Sequence, residues 1–265
     1  MNKPDLKDYT LEQLTAFMED RGHSAFRARQ VFAWLYRPGI TNFEQMTDLS
    51  KALREQLKEE AEISRFEPVA EEQSRDGSVK FVFRLAEEDR HTLCVSSQVG
   101  CAMGCGFCLT GTLGFKRNLR PAEMVNQVTA AAERLWQREQ RLTNLVFMGM
   151  GEPLANFDNL LTALAILMEQ RGLNFSSRRI TVSTCGLVPR MVELGERTDV
   201  NLAVSLHSVK DEVRSQLMPI NRTYPVETLL AACRQFPLPK RRRIMFEYIL
   251  IKGVNDSEED AKLLA

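Results

Sequence analysis

The sequence predicts an α/β fold with a small helical domain in front of it, and three observations predict that. From Thr92 onward, short apolar runs rich in β-branched residues alternate with longer amphipathic stretches. Polar and glycine-rich residues collect where those apolar runs end. The first 65 residues carry helical periodicity and little strand character. Alternation of strand and helix means a parallel sheet with right-handed crossovers, and such sheets keep their sites at the strand C-termini.

Residues 1–65 are expected to form the helical domain. Thr10 is a natural N-cap for the run beginning at Leu11, with Gln13 at capping-box spacing. Ala25–Tyr36 places Phe26, Val31, Phe32 and Leu35 at helical intervals, and Pro38-Gly39 stops it. A third helix opens near Asp48. Residues 66–90 read as a β-hairpin linker, with apolar runs at Pro68 and at Ser78–Leu85 around Asp76-Gly77. Residues 91–265 form the core. Its strands are expected at Thr92–Ser97, Asn144–Gly149, Arg179–Thr184, Asn201–Leu206 and Ile244–Ile251. Helices are expected at Pro121–Arg138, Phe157–Gln170, Val188–Gly195, Asp211–Leu217 and Val226–Arg234.

Composition narrows the function. The 265 residues hold 35 Lys+Arg and 35 Asp+Glu, so the net charge is zero and a globally basic nucleic-acid binder is excluded. Local basic clusters remain: Arg21, Arg27, Arg29 and Arg37 without an intervening acid, then Lys116-Arg117 with Arg120, Arg178-Arg179, and Lys240–Arg243. Each alone reads as a solvated surface; together they suit a polyanionic partner. No apolar run reaches the roughly 20 residues of a membrane span, and the N-terminus has no signal-peptide core, so a cytoplasmic protein without a membrane partner is expected.

The strongest local signal is Cys101-Ala-Met-Gly-Cys105-Gly-Phe-Cys108, directly after the first core strand. Zinc fingers pair C-x2-C with a distant second pair, whereas here three cysteines share one tight loop. Three thiolates on a four-iron cluster leave one iron open to a chelating substrate. A structural zinc site completed by His91 or Cys94 is the competing reading, and incidental cysteines a weaker one. Gly149-Met-Gly151-Glu152-Pro153 follows the second strand; Leu154 stands where a dinucleotide fingerprint needs glycine, so a phosphate loop is disfavoured. On residues alone, His207 is an ordinary strand-end histidine and Cys94 a small strand residue.

Taken together, these stretches resemble the RlmN/Cfr family of radical S-adenosylmethionine (radical SAM) methyltransferases that act on adenine in rRNA, closest to its RlmN branch. The resemblance is carried by Phe26–Tyr36, Phe43–Ser50, Thr92–Cys101, Gly111–Leu119, Met148–Asn156, Ser205-Leu206-His207 and Pro219-Ile-Asn221, and so covers nearly the whole chain. It implies a (β/α) radical SAM barrel with five of its six strands in this sequence. It implies a [4Fe–4S] cluster on Cys101, Cys105 and Cys108, with S-adenosylmethionine chelating the open iron and yielding a 5′-deoxyadenosyl radical on one-electron reduction. It implies cofactor contacts from Gly151, Glu152, Ser183, Ser205, Leu206 and His207. Cys94 matches the cysteine that releases a covalent protein–RNA intermediate by attacking the sulfur of a methyl-carrying cysteine, leaving a disulfide. The implied partners are 23S rRNA and tRNA, with an electron donor such as flavodoxin, and the implied protein is a monomer.

Two departures qualify the resemblance. The family's sixth strand, with a cofactor-binding asparagine, and its methyl-carrying cysteine have no match; Cys185 and Cys233 read as buried core residues. A segment of about a dozen residues that bears a glutamate base is also missing before Asp89-Arg-His-Thr-Leu-Cys94, and nothing in the sequence makes Glu87 or Glu88 its substitute. The expectation is therefore a chain that binds and cleaves S-adenosylmethionine but transfers methyl groups poorly, with an apolar sheet edge prone to association. The alternatives are a radical SAM enzyme with another substrate, or an RNA-binding fragment with a structural metal site.

Overall fold

The computed structural model describes residues 3–66, 82–84 and 91–265. In chain order the helices are α1 (Leu11–Glu19), α2 (Ala25–Leu35), α3 (Lys51–Glu60), α4 (Leu109–Thr112), α5 (Pro121–Trp136), α6 (Phe157–Met168), α7 (Val188–Arg197), α8 (Asp211–Leu217), α9 (Val226–Gln235) and α10 (Glu258–Leu264). The strands are β1 (Val82–Arg84), β2 (His91–Cys94), β3 (Gln98–Val99), β4 (Arg117–Asn118), β5 (Leu142–Phe147), β6 (Ile180–Thr184), β7 (Asn201–Ser205) and β8 (Met245–Glu247). They group into two compact units: Met1–Val95 with Leu119–Leu145 and Asp158–Ser176, and Ser96–Asn118 with Val146–Phe157 and Ser177–Ala265.

In the first unit, Thr10 and Gln13 form the capping box that starts α1, and Ser50 caps α3. Leu14, Met18, Val31, Phe32, Leu53 and Leu57 are buried, each worth roughly 1.5–3 kcal/mol relative to exposure. Asp8 accepts from the Ala122 amide at 2.8 Å and Lys7 Nζ donates to Asn126 Oδ1 at 2.8 Å, so the N-terminal segment is stitched to the start of α5. The strand order here is β1-β2-β5, with β1 antiparallel to β2 through Phe83↔Thr92. The hairpin expected over residues 66–90 thus contributes one strand that pairs forward, onto β2; its Pro68 run and Asp76-Gly77 turn lie outside the described residues.

In the second unit the order is β5-β6-β7-β8, and β6, β7 and β8 run parallel, with Ser183↔Ala203 and Ser205↔Glu247 in register. β6 is buried along its whole length, as a parallel strand covered on both faces must be. β8 is shorter than the apolar run Ile244–Ile251 suggests. Beyond Glu247 the backbone amides turn to side chains: Ile249 N–H donates to His207 Nδ1 at 3.0 Å and Ile251 N–H to Asn255 Oδ1 at 2.7 Å. Met245 and Phe246 on this strand are exposed. The sequence reading missed the two-stranded ribbon of β3 and β4, which pairs Gln98 with Asn118 and Val99 with Arg117. The cysteine loop is the connection between those two short strands.

Candidate active site

An open cavity of about 440 Å³ lies at the C-terminal ends of the second unit's strands. Cys101, Cys105 and Cys108 line it, together with Gly151, Glu152, Ser183, Ser205, His207 and Glu247. Every one of these residues belongs to the same unit.

The ribbon sets the cysteines. Gly100 has φ +75°, and a Cβ there would lie 1.7 Å from the Gly114 carbonyl oxygen, so only glycine lets the loop close on itself. From the far side, the Gly106 amide donates to the Leu217 carbonyl of α8 at 2.8 Å. Burial raises the Cys101 thiol above its ordinary pKa, and burial followed by the neighbouring Cys101 and Cys108 pushes Cys105 up to about 11. Metal binding would have to displace those protons, as thiolate ligation requires. Among the described residues no three His, Cys, Asp or Glu side chains converge on one point that could hold a single ion. Zinc would draw its thiolates to within about 4 Å of one another. A [4Fe–4S] cluster takes each thiolate on a different iron.

Glu152 is buried behind the cysteines. Its Oε2 accepts from the Cys185 amide at 2.8 Å and its Oε1 from the Leu154 amide at 3.1 Å. Burial raises its pKa and the amide donors of Cys185 and Leu154 oppose the rise, holding a carboxylate in a fixed pose. Its own amide donates to Gln98 Oε1 at 2.9 Å, so β3 and the strand-end loop after β5 are tied together. Gly151 makes that approach feasible: with φ +100°, its missing Cβ would meet the Gln98 side chain at 2.5 Å. Gln98 is a site-building residue to which the sequence reading gave no role, although it lies within the Thr92–Cys101 stretch.

His207 occupies a left-handed conformation, φ 55°, which histidine tolerates better than most residues. Its Nδ1 accepts the Ile249 amide, which fixes a neutral ring with its proton on Nε2, and it stands nearly perpendicular to the Phe107 ring with the centroids 4.6 Å apart. Burial lowers its pKa, with Glu247 opposing that shift. Leu206 is buried and does not line the cavity; only its backbone takes part, accepting from Arg214 Nε and donating to the Glu247 carbonyl.

Cys94 ends β2 in the first unit, half-buried. No disulfide joins the described cysteines, the one implied for Cys94 included, and Cys185 and Cys233 are buried thiols. Of the cations expected to face a polyanion, Arg21 is engaged by Glu60 at 2.5 Å and stacks on Phe17. Arg27 and Arg29 lie 5.7 and 5.9 Å from the ring of Phe26, which is 54% exposed. Among the described residues no helix is long and apolar enough to cross a membrane.

Comparison with known proteins places this geometry. Residues 4–63 match the ribosomal RNA large subunit methyltransferase N-terminal domain, and residues 95–265 match the radical SAM superfamily. The chain is 52% identical to the dual-specificity RNA methyltransferase RlmN of Desulfotalea psychrophila, over 99% of this chain and 78% of that one. This chain belongs to the RlmN family of radical SAM methyltransferases. The RlmN of Geobacter sulfurreducens is 55% identical over 98% of this chain and 74% of its own length. The crystal structure of a radical SAM methyltransferase from Sphaerobacter thermophilus superimposes with a TM-score of 0.90 at 46% identity, over 98% of this chain and 80% of that one. Membership in the RlmN family makes a [4Fe–4S] cluster and S-adenosylmethionine the cofactors, and methyl transfer to RNA the family's reaction.

Proposed function

We propose that this protein methylates C2 of adenine in 23S rRNA and in tRNA. The observation that carries the reading is the single cavity that brings the three-cysteine ribbon together with the polar ends of β6, β7 and β8. In this reading Cys101, Cys105 and Cys108 hold the cluster, Gly151, Glu152, Ser183, Ser205 and His207 form the S-adenosylmethionine site, and Leu206 supports it through its backbone alone. The bound cluster supplies the electron that starts radical chemistry, which an electron-poor aromatic carbon requires in place of polar displacement.

The chain's own residues bind and orient. Glu152 is locked by two backbone amides and presents a fixed negative edge beside the cysteines, suited to the cofactor's ammonium. Neutral His207 offers Nε2–H as a donor without adding a charge to a confined site. Cys94 matches the thiol that would release product by attacking the sulfur of a methyl-carrying cysteine, for which these 265 residues show no match. Residues 1–65 bind RNA through Phe26, Arg27 and Arg29, residues 66–90 link, and residues 91–265 carry the chemistry. As the family resemblance implies, the protein works in the reducing cytoplasm, with a flavodoxin-type donor and as a monomer that docks on RNA.

The test is to incubate the reduced, cluster-loaded protein with S-adenosylmethionine and RNA, digest the RNA and identify the methylated nucleoside by mass spectrometry. The cofactor is expected to be cleaved to 5′-deoxyadenosine, with 2-methyladenosine formed only slowly; a methyl group on the exocyclic nitrogen would overturn the proposal.

A further inference from the structure

Lys7 is a buried ammonium without a counter-ion of its own. It is 3% exposed, its Nζ donates to Asn126 Oδ1 at 2.8 Å, and among the described residues no carboxylate pairs with it. The amide oxygen takes one of the three ammonium donors and brings no negative charge. Burial lowers the Lys7 pKa; Asp5 opposes that shift, Arg65 adds to it and Glu133 opposes it. Tyr36, at the end of α2, holds a second unsatisfied group: its hydroxyl is buried and has no hydrogen-bond partner among the described residues. Buried donors of both kinds destabilise a fold unless an acceptor reaches them.

Both residues line one small cavity of about 40 Å³ in the first unit, together with Arg65 and Glu133. That is room for about three waters, or for the oxygens of one small anion. Glu133 is neutralised by Arg65 at 2.8 Å and Asp5 faces Arg120 at 3.8 Å, so neither acid is free to serve Lys7. The groups left unspent are donors: the ammonium, the phenol and the remaining guanidinium N–H groups. They come from three separate segments, before α1, at the end of α2 and after α3. Chloride offers a single acceptor atom and a carboxylate two coplanar oxygens, whereas a phosphoryl group presents three oxygens in different directions. We propose that Lys7, Tyr36 and Arg65 form a binding site for a phosphoryl group. A backbone phosphate of RNA and free phosphate share that chemistry. The RNA source rests on the reading of residues 1–65 as RNA-binding; the free-phosphate source does not.

The test uses the full chain and inorganic phosphate, with chloride at equal ionic strength as the control. Tyr36→Phe is the informative variant, because it deletes a hydroxyl that has no partner and should leave the unliganded protein at least as stable as wild type. Phosphate is expected to raise the wild-type melting temperature beyond chloride, and its affinity should fall roughly tenfold in Tyr36→Phe and further in Lys7→Gln. RNA-binding isotherms on the same proteins distinguish the sources. If RNA supplies the phosphate, Tyr36→Phe weakens RNA as well, and inorganic phosphate competes with RNA for the wild type. If free phosphate is the ligand, phosphate affinity falls while RNA affinity stays unchanged, and the RNA source alone fails. Equal effects of phosphate and chloride, with RNA affinity unchanged in Tyr36→Phe, would overturn the proposal whatever Lys7→Gln shows.

Discussion

Arg214 donates from Nη1 to the side-chain oxygen of Asn221 at 2.8 Å, and both residues are buried. Arg214 is 0% exposed, and its remaining donors reach the carbonyls of Cys185, Ser205 and Leu206. One guanidinium thus gathers the ends of β6 and β7 with the turn at Asn221, and anchors α8. The same helix offers its Leu217 carbonyl to Gly106 in the cysteine loop. The cofactor-binding ends and the cysteine loop therefore share one brace.

Arg214→Met removes four hydrogen bonds, three of them buried, and leaves the oxygens of Asn221, Cys185 and Leu206 without that donor. The expected cost exceeds about 3 kcal/mol, read as a lower urea midpoint. Arg214→Lys should recover only part of it, because an ammonium cannot reproduce the planar fork.

Gly100→Ala should abolish cluster assembly while leaving the helical N-terminal residues folded. The new Cβ would collide with backbone, not with a yielding side chain, at a position that also needs positive φ. Iron content after anaerobic reconstitution and far-UV circular dichroism together check this. Full iron loading of the variant would contradict it.

Lys7 makes stability depend on alkaline pH. Burial pulls its pKa from 10.5 down to about 8, with Asp5 opposing. Below about 8 it is charged in both states, and the folded state bears the desolvation cost. Stability therefore rises with pH from about 8 to 10.5, as the unfolded chain continues to hold a proton that the folded one has released. The gain is on the order of 2–3 kcal/mol. Denaturant midpoints at pH 7.5 and 10, compared with Lys7→Met, should show that slope in the wild type and lose it in the variant.

Replacing Arg27 and Arg29 with alanine should weaken RNA binding and flatten its salt dependence by about one to two in slope. Arg21→Ala should change the slope little, because Glu60 already holds that guanidinium. Binding isotherms at several salt concentrations separate the two.

The parts of the site that depend on local sequence were legible. The C-x3-C-x2-C spacing exposed the cysteine loop, and a glycine pair before Glu152 marked the strand-end turn. α8 runs over the expected residues, and α1 starts on the expected cap, since caps and periodicity act over a few residues. What stayed hidden depends on register. Glu247 reaches Ser183 and Ser205 because β6, β7 and β8 pair in one alignment, which no local pattern specifies. A signal existed: one charge inside the apolar run Ile244–Ile251. The sequence reading gave Gln98 and Arg214 no role of their own, and their partners 54 and 29 positions away in sequence supply it.

Metal and sulfide analysis of the anaerobically reconstituted protein tests the central claim most directly. The account predicts about four irons and four acid-labile sulfides per chain, lost on Cys105→Ala. One zinc per chain with no sulfide would contradict it.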